Sequence, residues 1–335
     1  MVSMKDIAAA CGVSVATVSK ALSGHTDIGQ NTRELVCRRA REMGYMPNSA
    51  ARALKTNRSG CIGVVFSDAG GRGLTHEFFA AVLDSFKVEI ESHGYDLIFI
   101  NCNVTGSHTD YLEHCLYRGV DGVAVICVDY YDDRVQELVA SGLPLVTLDH
   151  AFAGRNAVLS DNTGGAESLV RFAHKKGHGK IAFIHGERTA VTEQRLQGYY
   201  RCMEALGLEV PDGFVLSSRY YDADGSYAAA KKLLSLPERP TCILFPDDFS
   251  LIGGTRAILE AGLRIPEDIS VMGYDGIVVS QVMSPRITTF RQDTVLLGKT
   301  AAELLLESID RPKAALPSHR IVPGELIAGE SVAEL

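Results

Sequence analysis

Gly12 stands between two short segments, each opened by a residue that caps helices, and this leaves the N-terminal end of the chain few folds to choose from. Ser3, with Asp6 three residues later, predicts a capped first helix. Gly12 supplies the left-handed turn that glycine adopts at least cost, and Ser14 caps a second helix through Val15-Ala16-Thr17-Val18-Ser19-Lys20. Small Ala8 and Ala9 predict a close crossing of the two helices, while Val13, Val18 and Leu22 have the spacing to bury one face of the second. The other face carries Ala16, Thr17 and Lys20, short or basic side chains suited to base edges and phosphates. Ser14, Val15, Ala16, Thr17 and Lys20 are therefore the candidate groove residues.

Charge points the same way. Residues 1–58 hold nine Lys/Arg against four Asp/Glu, a charge of +5, in a chain whose total is −8. A basic head on an acidic body is the asymmetry expected when one end binds nucleic acid. A small helical domain with a solvated basic face is the competing account, and it leaves the capped helix spacing unexplained.

At Asp6 to Ser19, and again at Tyr45-Met46-Pro47-Asn48-Ser49-Ala50-Ala51-Arg52-Ala53-Leu54-Lys55, the chain resembles the lac repressor and purine repressor family of bacterial transcription regulators. The resemblance spans its whole length. It implies that Asn48 to Lys55 form a hinge helix entering the DNA minor groove, with Asn48, Ala51 and Lys55 at the DNA and Leu54 as the wedge between base pairs. Pro47 ends the preceding helix and Asn48 can cap the hinge. Two turns of helix fall below the ~12–15 residues that an isolated helix needs in water, so hinge folding is expected to accompany DNA binding. Leu54 packing on the next domain as an ordinary linker leucine is the alternative.

From Cys61 onward the pattern changes. Ile62–Phe66, Asp96–Ile100, Gly122–Ile126, Leu145–Leu148, Ile181–Ile184, Cys242–Phe245 and Ile269–Met272 read as buried parallel strands, with amphipathic segments such as Phe78 to Ser92 and Glu193 to Leu206 between them. That is an α/β architecture of repeated βαβ units, too long for one doubly wound core, so two lobes with parallel sheets are expected, divided near Ser160 to Asn162. The resemblance implies a body like the periplasmic binding proteins, with two later crossings near Phe290 to Asp293 and Ile321 to Gly324. The expected division is 1–46 for an all-α helix-turn-helix domain, 47–59 for hinge and linker, and 60–335 for an effector-binding body. Its N-lobe covers about 60–160 and 293–320, its C-lobe about 161–292 and 321–335.

Other function classes are weaker. Gly70-Gly71-Arg72-Gly73 follows the first strand of the body, but His76 stands where a dinucleotide fingerprint needs glycine and no acid closes the second strand at Ile100-Asn101. No GxxxxGK[ST] or GxSxG run is present, so an enzyme and a nucleotide cofactor are not expected. A free-standing sugar-binding protein would carry no such head. No signal peptide precedes the helix-turn-helix and no apolar run reaches the length of a membrane span, which sets the expectation of a cytoplasmic protein without membrane contact. The eight cysteines lack paired spacing and read as reduced core residues; His174 and His178 read as the cationic end of a helix rather than a metal site.

Ligands of open α/β sheets bind beyond the carboxyl ends of the strands. Asp149, Asp247, Asp248 and Asp275 follow such ends, and the resemblance implies effector contact by Asp275, Arg195, Asp248 and Asp149. Structurally, Asp275 can cap the helix after Gly276 and Asp248 the one beginning at Phe249. Several carboxylates with one arginine suit a hydroxyl-rich ligand, so a saccharide is favoured over a nucleobase or other metabolite. There is no Trp, so a stacking face must come from Phe or Tyr. Phe79 leads, with Tyr131, Tyr220, Tyr221 and Phe249 as further walls, although Phe79 can equally be core, and His76-Glu77 departs from the family's usual approach to it.

The sequence thus predicts a homodimeric repressor that binds a palindromic operator in double-stranded DNA and senses a small molecule, a sugar by preference. Six residues follow Gly329 without a heptad pattern, so a tetramerising C-terminal helix is not expected.

Overall fold

The computed structural model describes residues 2–24, 26–46, 58–68, 71–104, 107–312 and 314–335. The expected hinge residues Asn48, Ala51, Leu54 and Lys55 lie outside them. Two compact units, Met1–Ser59 and Gly60–Leu335, divide the chain.

The first unit holds helices α1 (Met4–Cys11), α2 (Val15–Leu22) and α3 (Gln30–Glu42). Ser3 Oγ accepts from the Asp6 amide and Asp6 Oδ2 accepts from the Ser3 amide at 2.8 Å, a full capping box. Gly12 turns the chain at φ 67°, and Ser14 Oγ accepts from the Thr17 amide at 3.0 Å to open α2. Ile7, Ala8, Val18, Ala21, Val36 and Ala40 form the core, with Val13 and Leu22 partly buried against it. Ala8 is buried in that core, whereas Ala9 is exposed, because Ile7 takes the inward position beside Ala8.

The second unit is built on two six-stranded sheets. In the first, strands run in the order β13-β7-β6-β5-β1-β2, all parallel: β1 (Cys61–Phe66), β2 (Asp96–Ile100), β5 (Gly122–Ile126), β6 (Leu145–Leu148), β7 (Asn156–Ser160) and β13 (His319–Val322). A short hairpin of β3 (Asn103–Val104) and β4 (Ser107–His108) lies outside it. Alternate residues feed opposite faces. Ile62, Val64, Ala124 and Ile126 enter one core with α4 (Glu77–Ser92) and α12 (Thr294–Asp310), while Val65, Val123 and Val125 enter another with α5 (Tyr111–Arg118) and α6 (Asp133–Ala140). Burial on both faces explains the nearly continuous apolar runs.

The second sheet runs β14-β12-β11-β10-β8-β9, from β8 (Ile181–His185), β9 (Val215–Ser217), β10 (Cys242–Leu244), β11 (Ser270–Asp275), β12 (Thr288–Arg291) and the antiparallel β14 (Glu325–Ile327). Its helices are α7 (Asn162–Lys175), α8 (Ala190–Ala205), α9 (Ala223–Leu234), α10 (Asp248–Glu260) and the short α11 (Val278–Val282). The chain passes between lobes at residue 161, at 292–293 and at 323–324. Ile321 and Val322 therefore belong to the first sheet through their pairing with Leu159 and Ser160, two residues beyond the sequence division at 320. Phe245 and Ile269 fall just outside β10 and β11, although Phe245 still pairs through its amide with the Met272 carbonyl.

Among the described residues no helix is long and apolar enough to cross a membrane, and no cluster of His, Cys, Asp and Glu is arranged to hold a metal. Cys115, Cys202 and Cys242 are buried free thiols; Cys11, Cys37, Cys61, Cys102 and Cys127 are only half-buried. His174 lies in the last turn of α7, but His178 is not at a cationic helix end: it is buried between Thr241 Oγ1 and the Ala333 carbonyl.

Helices α7 and α8 cross so closely that a Cβ on Gly198 would stand 2.2 Å from the Thr163 carbonyl oxygen. Gly198→Ala is expected to cost about 1–3 kcal/mol through overpacking, seen as a lower urea midpoint with unchanged m. An unchanged midpoint would show that this crossing is not tight.

Candidate functional site

The site lies where the carboxyl ends of both sheets converge. On the second lobe, α8 carries Arg195, whose burial is made possible by partners on three elements. Nε donates to Asn162 Oδ1 at 2.9 Å, Nη1 donates to the Pro246 carbonyl at 2.8 Å, and the guanidinium lies 3.5 Å from the centre of the Tyr274 ring. Its Nη2 stands 3.9 Å from Asp275 Oδ1, outside hydrogen-bond range but close enough for strong attraction at a site excluding water. Asp275 ends β11 with φ 97° and accepts from Gln292 Nε2 at 2.7 Å. It does not cap the helix after Gly276: α11 has Ile277 at its N-cap and no side-chain cap.

Asp149 faces this pair from the first lobe. It follows β6 with φ 62°, and its Oδ1 is buried with no hydrogen-bond partner among the described residues. Burial pushes its carboxyl up to about 6, against the attraction of Arg195 and a hydrogen bond from the Ser160 backbone. The same cause pushes Asp275 up to about 7, with Asp247 reinforcing it and Arg195 opposing. Cys127, Asp149, Tyr221 and Asp275 are the non-glycine residues with positive φ among those described, and each stands at or shortly after a strand's carboxyl end. Such backbone strain gathers where side chains must be aimed.

Asp247 and Asp248 are spent on structure. Asp247, rather than Asp248, caps α10, accepting from the Ser250 amide at 2.7 Å, and it also accepts from the Tyr221 amide at 2.7 Å. Asp248 is fully buried, accepting from Thr289 Oγ1 at 2.7 Å and the Ile277 amide at 2.9 Å. The two acids fix the loops that carry Tyr221 and Ile277.

Phe79 is half-buried, edge-on to Phe66 at 6.2 Å and to Phe78 at 5.0 Å, so its ring is both core and wall. Beside it the lobes touch through an arrangement that sequence reasoning did not assemble. The His76 ring stacks on Tyr221 at 4.1 Å, Tyr221 stacks on Phe249 at 4.2 Å, and Arg72 lies 4.3 Å over Phe249. Glu77 Oε1 accepts from the Val278 amide at 2.8 Å. His76 was noticeable only as a departure from pattern; Asn162 and Gln292, which hold Arg195 and Asp275, gave no local signal.

In the first unit, Val15, Ala16 and Lys20 are exposed on α2, opposite buried Val18 and Ala21. Thr17 shares its hydroxyl with Ser14 Oγ at 2.9 Å, and Lys20 pairs with Asp27. Lys20 must therefore exchange a carboxylate for a phosphate or base if it is to meet DNA.

Because the folded state raises the Asp275 pKa from 3.8 to about 7, it holds a proton that the unfolded chain has released between those values, and stability falls as pH rises through that window. Asp275→Asn removes this loss. The melting temperature of the variant minus that of the wild type should grow by several degrees from pH 4 to pH 8; a difference that stays flat would contradict the assigned protonation.

The family model of bacterial regulatory proteins of the lacI type matches residues 3–48, and that of the periplasmic binding protein-like domain matches residues 170–332. The HTH-type transcriptional repressor PurR of Mannheimia succiniciproducens is 30% identical over 340 residues, spanning 100% of both chains. The lac repressor dimer bound to operator and the anti-inducer ONPF matches at TM-score 0.82 with 25% identity over 99% of each chain. A complex of the transcriptional regulator CelR with cellobiose matches at TM-score 0.73 with 26% identity, over 99% of this chain and 100% of that one. A capped helix-turn-helix, a two-sheet body with a charged cleft and a full-length relative at this identity agree: the chain belongs to the lacI family of bacterial regulatory proteins and is a DNA-binding transcriptional repressor, not an enzyme.

Proposed function

We propose that this repressor is controlled by a hydroxyl-rich small molecule, a saccharide or sugar derivative, held between the lobes by Arg195, Asp275 and Asp149 with Phe79 as an apolar wall. The observation that carries the reading is the buried Oδ1 of Asp149, without a partner among the described residues, opposite the Arg195–Asp275 pair. A buried acceptor without a donor costs about 1–3 kcal/mol, and a sugar hydroxyl relieves that cost. Asp247 and Asp248 act indirectly, by holding the walls. The cellobiose in the CelR complex supports the same ligand class. A nucleobase is the second reading, favoured by the half-buried ring of Phe79 and by the PurR name of the curated relative.

The proposed division of labour gives DNA reading to 1–46, a hinge with Asn48, Ala51, Leu54 and Lys55 at the minor groove to 47–59, and sensing to the body. Two copies are needed to read a palindrome, so the repressor is proposed to act as a homodimer. The protein works in the cytoplasm, beside its operator.

Arg195→Ala removes a buried, charge-assisted contact and is expected to weaken sugar binding by ~100-fold, a few kcal/mol, while the thermal unfolding remains cooperative. Calorimetry against a panel including cellobiose, ribose, hypoxanthine and guanine checks it; wild-type affinity in the variant would exclude this cleft. On the DNA side, Ala16→Arg should change the preferred half-site in an operator selection, with each base contact worth ~1–3 kcal/mol. An unchanged half-site would remove α2 as the reading helix.

A further inference from the structure

We propose that His76 is the residue that decides the ligand class of this cleft: its imidazole occupies the aromatic slot between Phe79 and Tyr221 and so closes the cleft to planar bases, leaving it to ligands bound by their polar edges. The inference rests on the saccharide reading above and adds the side chain that enforces it.

The geometry begins at Tyr221. Its backbone is fixed at φ 57°, its amide is held by Asp247 at 2.7 Å, and its hydroxyl accepts from the Glu77 amide at 3.4 Å, so the ring is tied at both ends. Phe249 lies 4.2 Å from it with an interplanar angle of 4°, and His76 lies 4.1 Å from it at 29°. Two rings at that separation and nearly parallel to a third must lie on opposite faces of it. Both faces of Tyr221 are therefore covered by the chain itself. On its far side His76 meets Phe79 at 4.8 Å and 59°. Arg72 closes one margin of the stack, 4.9 Å from Tyr221 and 4.3 Å from Phe249.

A planar base gains much of its binding by offset stacking on such faces, at ring separations like those that His76 already occupies. To enter, it must expel an imidazole that is 7% exposed and packed between two rings. Burial pushes the His76 pKa down to about 4, so at neutral pH the ring is uncharged and stacks as an aromatic without a charge to solvate. A sugar makes no such demand. Its hydroxyls engage the carboxylates and guanidinium at Asp149, Asp275 and Arg195, and its ring needs only an apolar contact.

Two variants test the assignment in the full-length protein. His76→Ala empties the slot, whereas His76→Phe keeps it filled with a ring that has no nitrogen. Binding of guanine, hypoxanthine and the sugar panel is measured by calorimetry, with thermal unfolding confirming that each variant is folded. The expected result is no base binding in the wild type or in His76→Phe, and a gain of roughly tenfold or more over the wild-type limit in His76→Ala. A wild type that binds a base as tightly as His76→Ala does overturns the role of His76. So does a His76→Ala form that gains no base, whether or not a sugar is bound; where the wild type binds a sugar, the saccharide reading still stands. Gain of a base by His76→Ala with no sugar bound by any form supports the role of His76 while removing the saccharide reading.

Discussion

A guanidinium buried in the interior of the body sets the terms for everything around it. Removing the Arg195 charge from water costs several kcal/mol unless every face finds a partner. The partners come from separate parts of the chain: Asn162 opens α7, Pro246 precedes α10, Tyr274 and Asp275 end β11. Bringing them together requires α8 to lie against α7 at the distance that Gly198 permits. It also requires the sheet register that puts β11 between β10 and β12. The sheets and helix crossings are thus the scaffold of one charged side chain.

Two partners of this charge cluster stand where the chain changes lobes. Asn162 follows the first crossing at residue 161, and Gln292, the donor to Asp275, lies in the second. A ligand that draws on Arg195 and Asp275 pulls on side chains rooted in the connections between lobes. The lobes also meet directly, through the His76–Tyr221 stack and the Glu77–Val278 hydrogen bond. Cleft chemistry and lobe position are therefore mechanically linked, and a ligand can shift the balance between body conformations only by its difference in affinity for them, usually 1–3 kcal/mol.

The head was the most legible part of the sequence because its determinants are local. Ser3, Asp6, Gly12 and Ser14 each act within four residues, and the capping box and turn form as the sequence predicts. The central strands were legible because burial on both faces writes them as apolar runs. Strands β9, β13 and β14 were not, since edge positions and short lengths dilute that signal: β13 shows only Val322 buried. The interior strands β7 and β12 were missed because buried polar residues, Asn156, Ser160, Thr288 and Thr289, interrupt their apolar runs. At the cleft, Arg195, Asp149 and Asp275 do come together. Asp247 and Asp248 follow strand ends in the same way, yet spend their oxygens on amides and hydroxyls. Their roles depend on Tyr221, Ile277 and Thr289, partners 26 to 41 positions away. The His76 stack joins residues still farther apart, which no local pattern encodes.

If occupancy of the proposed cleft governs the grip on DNA, operator affinity and ligand affinity are thermodynamically linked. Operator affinity is measured by fluorescence anisotropy without ligand and with the cleft saturated by whichever panel sugar binds it; ligand affinity is measured by calorimetry with and without operator. Operator affinity is expected to change by ~5–150-fold, and operator to change ligand affinity by the same factor. Operator affinity that is indifferent to a saturated cleft would rule out control of DNA binding through this site.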